Sequence, residues 1–172
     1  MPRWKLRFKP SQIPELMRRY PDDDSKVLEI GRRSRTAGCY RYDDFLEVCR
    51  WKTARSQSRC RRNTAAEVSE ITSVALSASE ERLRIGVLRC LVGVEWPTAS
   101  VLLHLAHRDP YPILDVRSLW SWGFDNVPHY TFELWWDYVD KCRRLAGDQG
   151  VDMRTVDRAL WQYSKEHQGT LT

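Results

Sequence analysis

Residues 91–123 read LVGVEWPTASVLLHLAHRDPYPILDVRSLWSWG, and this stretch decides the fold. It opens on a short turn centred on Gly93, enters a helix through Pro97-Thr98-Ala99-Ser100 and leaves it at Arg108-Asp109-Pro110. An apolar run, Tyr111-Pro112-Ile113-Leu114, then delivers one carboxylate, Asp115. Upstream, Leu83, Val87 and Leu88 recur at helical spacing; downstream, Val101, Leu102, Leu105 and Ala106 do the same. The local pattern is therefore helix, hairpin, helix. Pro97 suits a first helical turn, where its missing N–H costs nothing, and Gly93 supplies the positive φ of a tight turn. Backbone N–H groups pointing out of that turn, those of Gly93 and Val94, would face a phosphate.

Working outward towards the N-terminus, Ser79 with Glu80 and Glu81 starts the helix that leads into the hairpin, and Thr64 to Ala75 is helical by pattern. Before it lies the most basic piece of the chain, Cys49 to Asn63 (CRWKTARSQSRCRRN). It carries Arg50, Lys52, Arg55, Arg59, Arg61 and Arg62 with no acid among them. Charge for phosphates, interleaved with Ser and Gln donors, is what a backbone-binding surface needs; a solvated helix end is the plainer explanation. Asp43 or Asp44 caps a helix bearing Phe45, Leu46, Val48, Cys49 and Trp51. Ser25 to Arg33 reads as a short helix, and Arg32 to Gly38 (RRSRTAG) as a basic loop. The acidic triplet Asp22-Asp23-Asp24 reads as a solvated turn. Trp4, Leu6 and Phe8 alternate with Lys5, Arg7 and Lys9 in an extended arm, followed by a helix over 11–20.

Towards the C-terminus, Tyr130 to Ala146 is a long helix with Phe132, Trp135, Trp136, Val139, Cys142 and Leu145. Gly147 and Gly150 end it, and Asp152 or Met153 opens a last helix with Val156, Leu160, Trp161 and Tyr163 inward. The expected fold is all-α. A hydrophobic share of 42% with 30% charged residues places the chain among folded globular proteins, and 172 residues suffice for one sizeable core or two small lobes. No run of eighteen apolar residues occurs and the opening MPRWKLRFKP lacks the apolar core of a signal peptide, so a cytoplasmic protein without a membrane partner is expected. The net charge of +5 permits nucleic-acid binding. Five scattered cysteines read as reduced thiols. His104 and His107 sit three apart with Asp109 near, but four ligands are not in view, and no metal or other cofactor is expected.

The stretch from Leu91 to Asp115 resembles the helix-hairpin-helix DNA glycosylases of the endonuclease III type. Their signature is Leu-x-Gly-Val-Gly-x-Lys-Thr-Ala, with the catalytic Asp eighteen residues after the Lys position. Here the residues are Leu91-x-Gly93-Val94-Glu95-x-Pro97-Thr98-Ala99, and Asp115 lies eighteen residues after Pro97. The clear match covers about a fifth of the chain. Two departures matter. Pro97 replaces the lysine that forms a Schiff base, so lyase chemistry at that position is excluded. Glu95 replaces the second hairpin glycine, and its carboxylate would repel a nearby phosphate by roughly 1 to 4 kcal/mol. The four clustered C-terminal cysteines that hold an iron–sulfur cluster in many relatives are missing too.

The resemblance implies a two-lobed helical fold. A central lobe would run from 36 to 110, and 1–35 with 111–172 would form the other, with a cleft between them. It implies a monofunctional DNA glycosylase that excises a damaged or modified base after flipping it. Asp115, at a helix N-terminus, would stabilise the oxocarbenium-like sugar or orient water, although a plain helix cap explains the same carboxylate. Gly93, Val94 and Thr98, with the arginines and lysine of 49–63, would hold the DNA backbone. Trp96, Tyr111, Trp120 and Trp122 would line the base pocket, whereas aromatics at such spacing are more often core. The alternatives are a helix-hairpin-helix module that binds DNA without catalysis, or a helical protein whose partner is another protein.

Overall fold

The computed structural model describes residues 4–21, 23–126 and 128–169. Among the described residues the chain is all-α, with ten α-helices and no strand. In chain order they are α1 (Ile13–Arg18), α2 (Ser25–Ala37), α3 (Tyr42–Lys52), α4 (Gln57–Cys60), α5 (Ala65–Ser77), α6 (Glu81–Leu88), α7 (Trp96–Ala106), α8 (Val116–Ser121), α9 (Phe132–Gln149) and α10 (Met153–His167). The chain divides into two compact units: residues 23–109, and 1–22 together with 110–172.

In the unit of 23–109, α7 is the central helix. Of its eleven residues only Pro97 and His104 escape burial, and an element apolar all round belongs in the middle of a core. α2 and α3 pack against it, and α5 and α6 pack together beside it. α2 approaches so closely that a Cβ on Gly31 would lie 2.4 Å from the Leu105 carbonyl oxygen, which leaves room for glycine alone. Tyr40, fully buried, ties two elements: its hydroxyl donates to the Leu102 carbonyl at 2.8 Å, and its N–H donates to Thr72 Oγ1 at 2.9 Å. Thr64 and Glu67 form a reciprocal capping box at the start of α5.

Two expectations are corrected here. Residues 32–37 are helical, not a loop: α2 runs unbroken to Ala37, because Ile30, Gly31 and Ser34 present a small buried face to α7 and only Gly38, at φ 74°, stops the helix. Residues 23–35, expected with the two ends of the chain, belong with 36–109 for the same reason. Asp43 and Asp44 lie in the first turn of α3 behind Arg41 as N-cap, and Asp44 pairs with Arg33 of α2. The expected acidic turn includes Asp22, which lies outside the described residues; Asp23 accepts from the Ser25 N–H at 3.0 Å.

In the other unit, α10 packs on α1, α8 and α9. Residues 4–8 form an irregular arm joined to the end of α8, with Lys5 N–H on the Trp122 carbonyl at 3.0 Å and Arg7 N–H on that of Ser121 at 2.9 Å. The helix expected over 11–20 begins as a 3-10 turn, Pro10–Gln12, and continues as α1. α9 runs through Gly147 and ends at Gly150. Aromatic rings fill this unit: Tyr111 stacks on Trp135, and Trp4 sits against Trp122, Phe124 and Tyr138. Tyr138 donates to the Ile113 carbonyl at 3.0 Å, and Asp157 accepts the Ile113 N–H at 3.0 Å, so the segment before Asp115 is held from two helices.

Candidate functional site

The hairpin is built as two successive turns, Leu91 N–H on the Leu88 carbonyl and Val94 N–H on that of Leu91, both at 3.1 Å. Gly93 has φ 85°, the left-handed value a side chain resists. A Cβ there would lie 2.9 Å from both the backbone nitrogen and the sulfur of Cys60, so the turn rests directly on the end of α4. Asn63 completes the join: it accepts from Val92 N–H at 2.8 Å and donates to the Val92 carbonyl at 2.9 Å. The basic segment and the hairpin, 29 residues apart along the chain at Asn63 and Val92, thus form one surface.

Within that surface the individual residues divide. Arg55, Arg59, Arg61 and Arg62 are exposed, and their guanidinium groups have no hydrogen bond or ion pair among the described residues. Arg50 is engaged by Glu47 at 2.6 Å. Lys52 ends α3 half-buried. The Val94 N–H does not point outward, since it closes the second turn, and Thr98 is buried within the first turn of α7, where its side chain belongs to the core. Glu95, the N-cap of α7, lies 3.8 Å from Arg89, whose guanidinium covers Trp96 at 4.5 Å. The repulsion expected from Glu95 is therefore offset by a cation from the end of α6.

Beneath the hairpin, Cys49 and Cys60 are fully buried and share a hydrogen bond. That bond, then burial, pushes the Cys49 thiol far up, while the same bond, with help from Ser56, holds Cys60 below the usual thiol range.

In the other unit, Asp115 is the N-cap of α8, and its Oδ1 accepts the Ser118 N–H at 2.8 Å. Its side chain is half-exposed. Tyr130 lies close by: burial first, and the negative charge of Asp115 second, push its phenol up to about 12. Both features, a partly solvated carboxylate and a neutral phenol beside it, sit at the end of the apolar run that the sequence singled out.

The four aromatic residues expected to form one base pocket stand in different surroundings. Tyr111 is fully buried, stacked 5.8 Å from Trp135 and under the Arg143 guanidinium at 4.7 Å. Trp122 is buried against Trp4, and Trp96 lies under Arg89 in the unit of 23–109. Trp120 lines an open pocket of about 580 Å³ with Lys5, Arg7, Asp125 and Tyr163. Large flat side chains at helical spacing are core first, and only burial separates a filler from a lining.

Sequence reasoning missed a second aromatic group. Tyr20 and Trp161 are half-exposed, 5.3 Å apart at 72°, and four cations lie over their rings. The signal that finds part of it is the stripe Arg154, Arg158, Trp161, Lys165, spaced four, three and four along one helix.

Among the described residues no group of three or more His, Cys, Asp or Glu is placed to hold a metal ion, and no helix is long and apolar enough to cross a membrane. His107 Nδ1 accepts the Asp109 N–H at 2.9 Å. A pocket of about 490 Å³ beside it is lined by Arg35, Arg84 and Arg108, of which Arg35 and Arg84 bond the terminal carbonyls of α7 and the Ala78 carbonyl after α5. Comparison with protein-family models, curated proteins and solved structures gives no match to this chain.

Proposed function

We propose that the unit of 23–109 binds the backbone of duplex DNA through the 91–95 hairpin and the adjoining arginines of α4 and its flanks. The observation that carries this reading is the pair of hydrogen bonds between Asn63 and Val92. It presents the hairpin and the exposed Arg59, Arg61 and Arg62 on one rigid surface. Four guanidinium groups without an acid among the described residues have nothing local to neutralise, and phosphates are the anions that a row of such groups at a turn accepts. Arg89 beside Glu95 removes the main electrostatic objection. The test is the salt dependence of binding to a short labelled duplex. Reversal of Arg59, Arg61 and Arg62 to Glu weakens binding and flattens the slope of log K against log salt by about 0.9 for each phosphate no longer neutralised. A wild-type chain that retards no duplex at low salt ends the proposal.

A second reading adds catalysis, favoured by the half-exposed Asp115 carboxylate with Tyr130 beside it. The reaction is hydrolysis of the N-glycosidic bond: the base leaves with the bonding pair, Asp115 supports the positive charge that develops on the sugar, and water adds at the anomeric carbon. The base then takes up the proton that water loses. Pro97 limits the activity to this step without strand cleavage. Release of a base from a panel of modified duplexes, lost in Asp115→Asn while duplex binding is kept, supports it. No release by either protein from the whole panel reduces the function to binding.

A further inference from the structure

We infer that the face of α10 with Tyr20 and Arg117 is a second nucleic-acid surface, one that takes unpaired nucleotides of single-stranded DNA. It rests on residues of 1–22 and 110–172 alone and does not depend on duplex binding by the unit of 23–109. Arg154, Arg158, Trp161 and Lys165 fall on one face of α10. Tyr20, just past α1, lies under the guanidinium groups of Arg154 at 5.3 Å and Arg158 at 5.5 Å, and its hydroxyl meets Arg154 Nη2 at 3.3 Å. Trp161 carries Arg117 of α8 at 5.5 Å and the Lys165 ammonium at 4.9 Å. Two half-exposed flat rings and four cations are thus interleaved over a single helix face.

The chemistry of this group selects its occupant. Asp157 Oδ2, 3.8 Å from Arg154, offsets one of the four cations, and Glu166 is engaged by Arg19, so the group keeps a net positive charge. Arg117 Nη1, a buried atom, has no hydrogen-bond partner among the described residues. An acidic peptide would satisfy the charge but not the rings. An anionic membrane would need protruding apolar side chains, and the exposed large ones among the described residues, Val74, Leu83 and Val92, all lie in 23–109. A single strand satisfies both, because its bases stack on aromatic faces and on guanidinium planes while its phosphates meet the cations. In a duplex those base faces are already stacked and cannot be shared.

The experiment uses the full chain with a labelled oligothymidylate, an abasic strand of equal length and a matched duplex. Wild type binds the oligothymidylate about tenfold or more tightly than the abasic strand, the worth of a stacked base or two. Trp161→Ala removes most of that advantage and Trp161→Phe retains it. Lys165→Glu, at an exposed position that leaves folding intact, weakens single-strand binding while duplex binding stays within about twofold. Thermal unfolding of each variant identifies any that fails to fold, and Lys165→Glu then decides. Equal binding of the abasic strand, no effect of Lys165→Glu, or loss of single-strand binding on reversal of Arg59, Arg61 and Arg62 overturns the inference. Failure of duplex binding alone leaves it standing.

Discussion

Asn63 and Val92 exchange two hydrogen bonds, the Asn63 amide donating to the Val92 carbonyl at 2.9 Å and accepting its N–H at 2.8 Å. A side chain here does what a strand partner would do, satisfying both polar groups of the residue before Gly93. Asn63 is itself buried and also donates to the Cys60 carbonyl at 2.8 Å, so its amide is fully committed.

Asn63→Ala therefore leaves a Val92 donor and acceptor without their partner, at a cost of about 1 to 3 kcal/mol. Urea denaturation measures it. Duplex affinity falls further than stability explains, because the hairpin loses its register with Arg59. Asn63→Asp keeps the acceptor and loses the donor, and falls between the two. An Asn63→Ala chain with unchanged midpoint and unchanged duplex affinity contradicts the role given to this clamp.

Two glycines separate a local constraint from a packing one. At Gly93 an alanine is strained by its positive φ and meets Cys60, for about 2 to 4 kcal/mol together. At Gly31 the φ is ordinary but the added methyl meets the backbone of Leu105, which cannot swing aside. Gly31→Ala destabilises by about 3 kcal/mol through displacement of α2 from α7 and leaves the hairpin surface in place. Denaturant midpoints rank both below wild type, and the Gly93 variant alone loses duplex affinity per folded molecule.

What could be read in the sequence follows how local each cause is. The hairpin at Gly93, the helix from Trp96 and the cap at Asp115 depend on residues within one turn of one another, and their spacing states them. The loop expected over 32–38 failed because its basic, polar look conceals a buried small face, Gly31 and Ser34, whose meaning comes from α7, seventy residues away. Tyr111 and Trp120 look alike on paper, yet one is walled in by Trp135 and the other opens on a pocket, a difference made wholly by tertiary packing. The Arg154, Arg158, Trp161, Lys165 stripe was legible as a period, but its completion by Tyr20 joins the two ends of the chain.

Those ends are joined a second time by Arg19 and Glu166, 2.8 Å apart. The bond from Arg19, with a smaller part from Gln162, holds the Glu166 carboxyl down to about 2 against burial acting the other way. A carboxyl whose folded pKa lies below its unfolded value stabilises the fold above about 4.5 and loses that contribution as pH falls towards 2. As a surface pair it is worth about 1 kcal/mol or less. Glu166→Gln lowers the urea midpoint slightly at neutral pH, and the gap to wild type closes between pH 4.5 and 2. A gap that stays constant across that window contradicts the pairing.

The coupling of Tyr130 to Asp115 gives the most direct probe of the carboxylate. Burial is the larger cause of the raised phenol and the Asp115 charge the smaller, so Asp115→Asn lowers the Tyr130 pKa from about 12 but leaves it above the ordinary 10.0. Asparagine still accepts the Ser118 N–H, so the cap is kept and the fold with it. A phenol held neutral by the fold adds stability that is fully present below pH 10 and lost as pH rises through its folded value, and in Asp115→Asn that loss begins earlier. Ultraviolet titration of tyrosinate, with Tyr130→Phe identifying the signal, reads the shift. An unmoved Tyr130 in Asp115→Asn means that the carboxylate does not face the phenol, and the half-open acid site that the catalytic reading needs is then not formed.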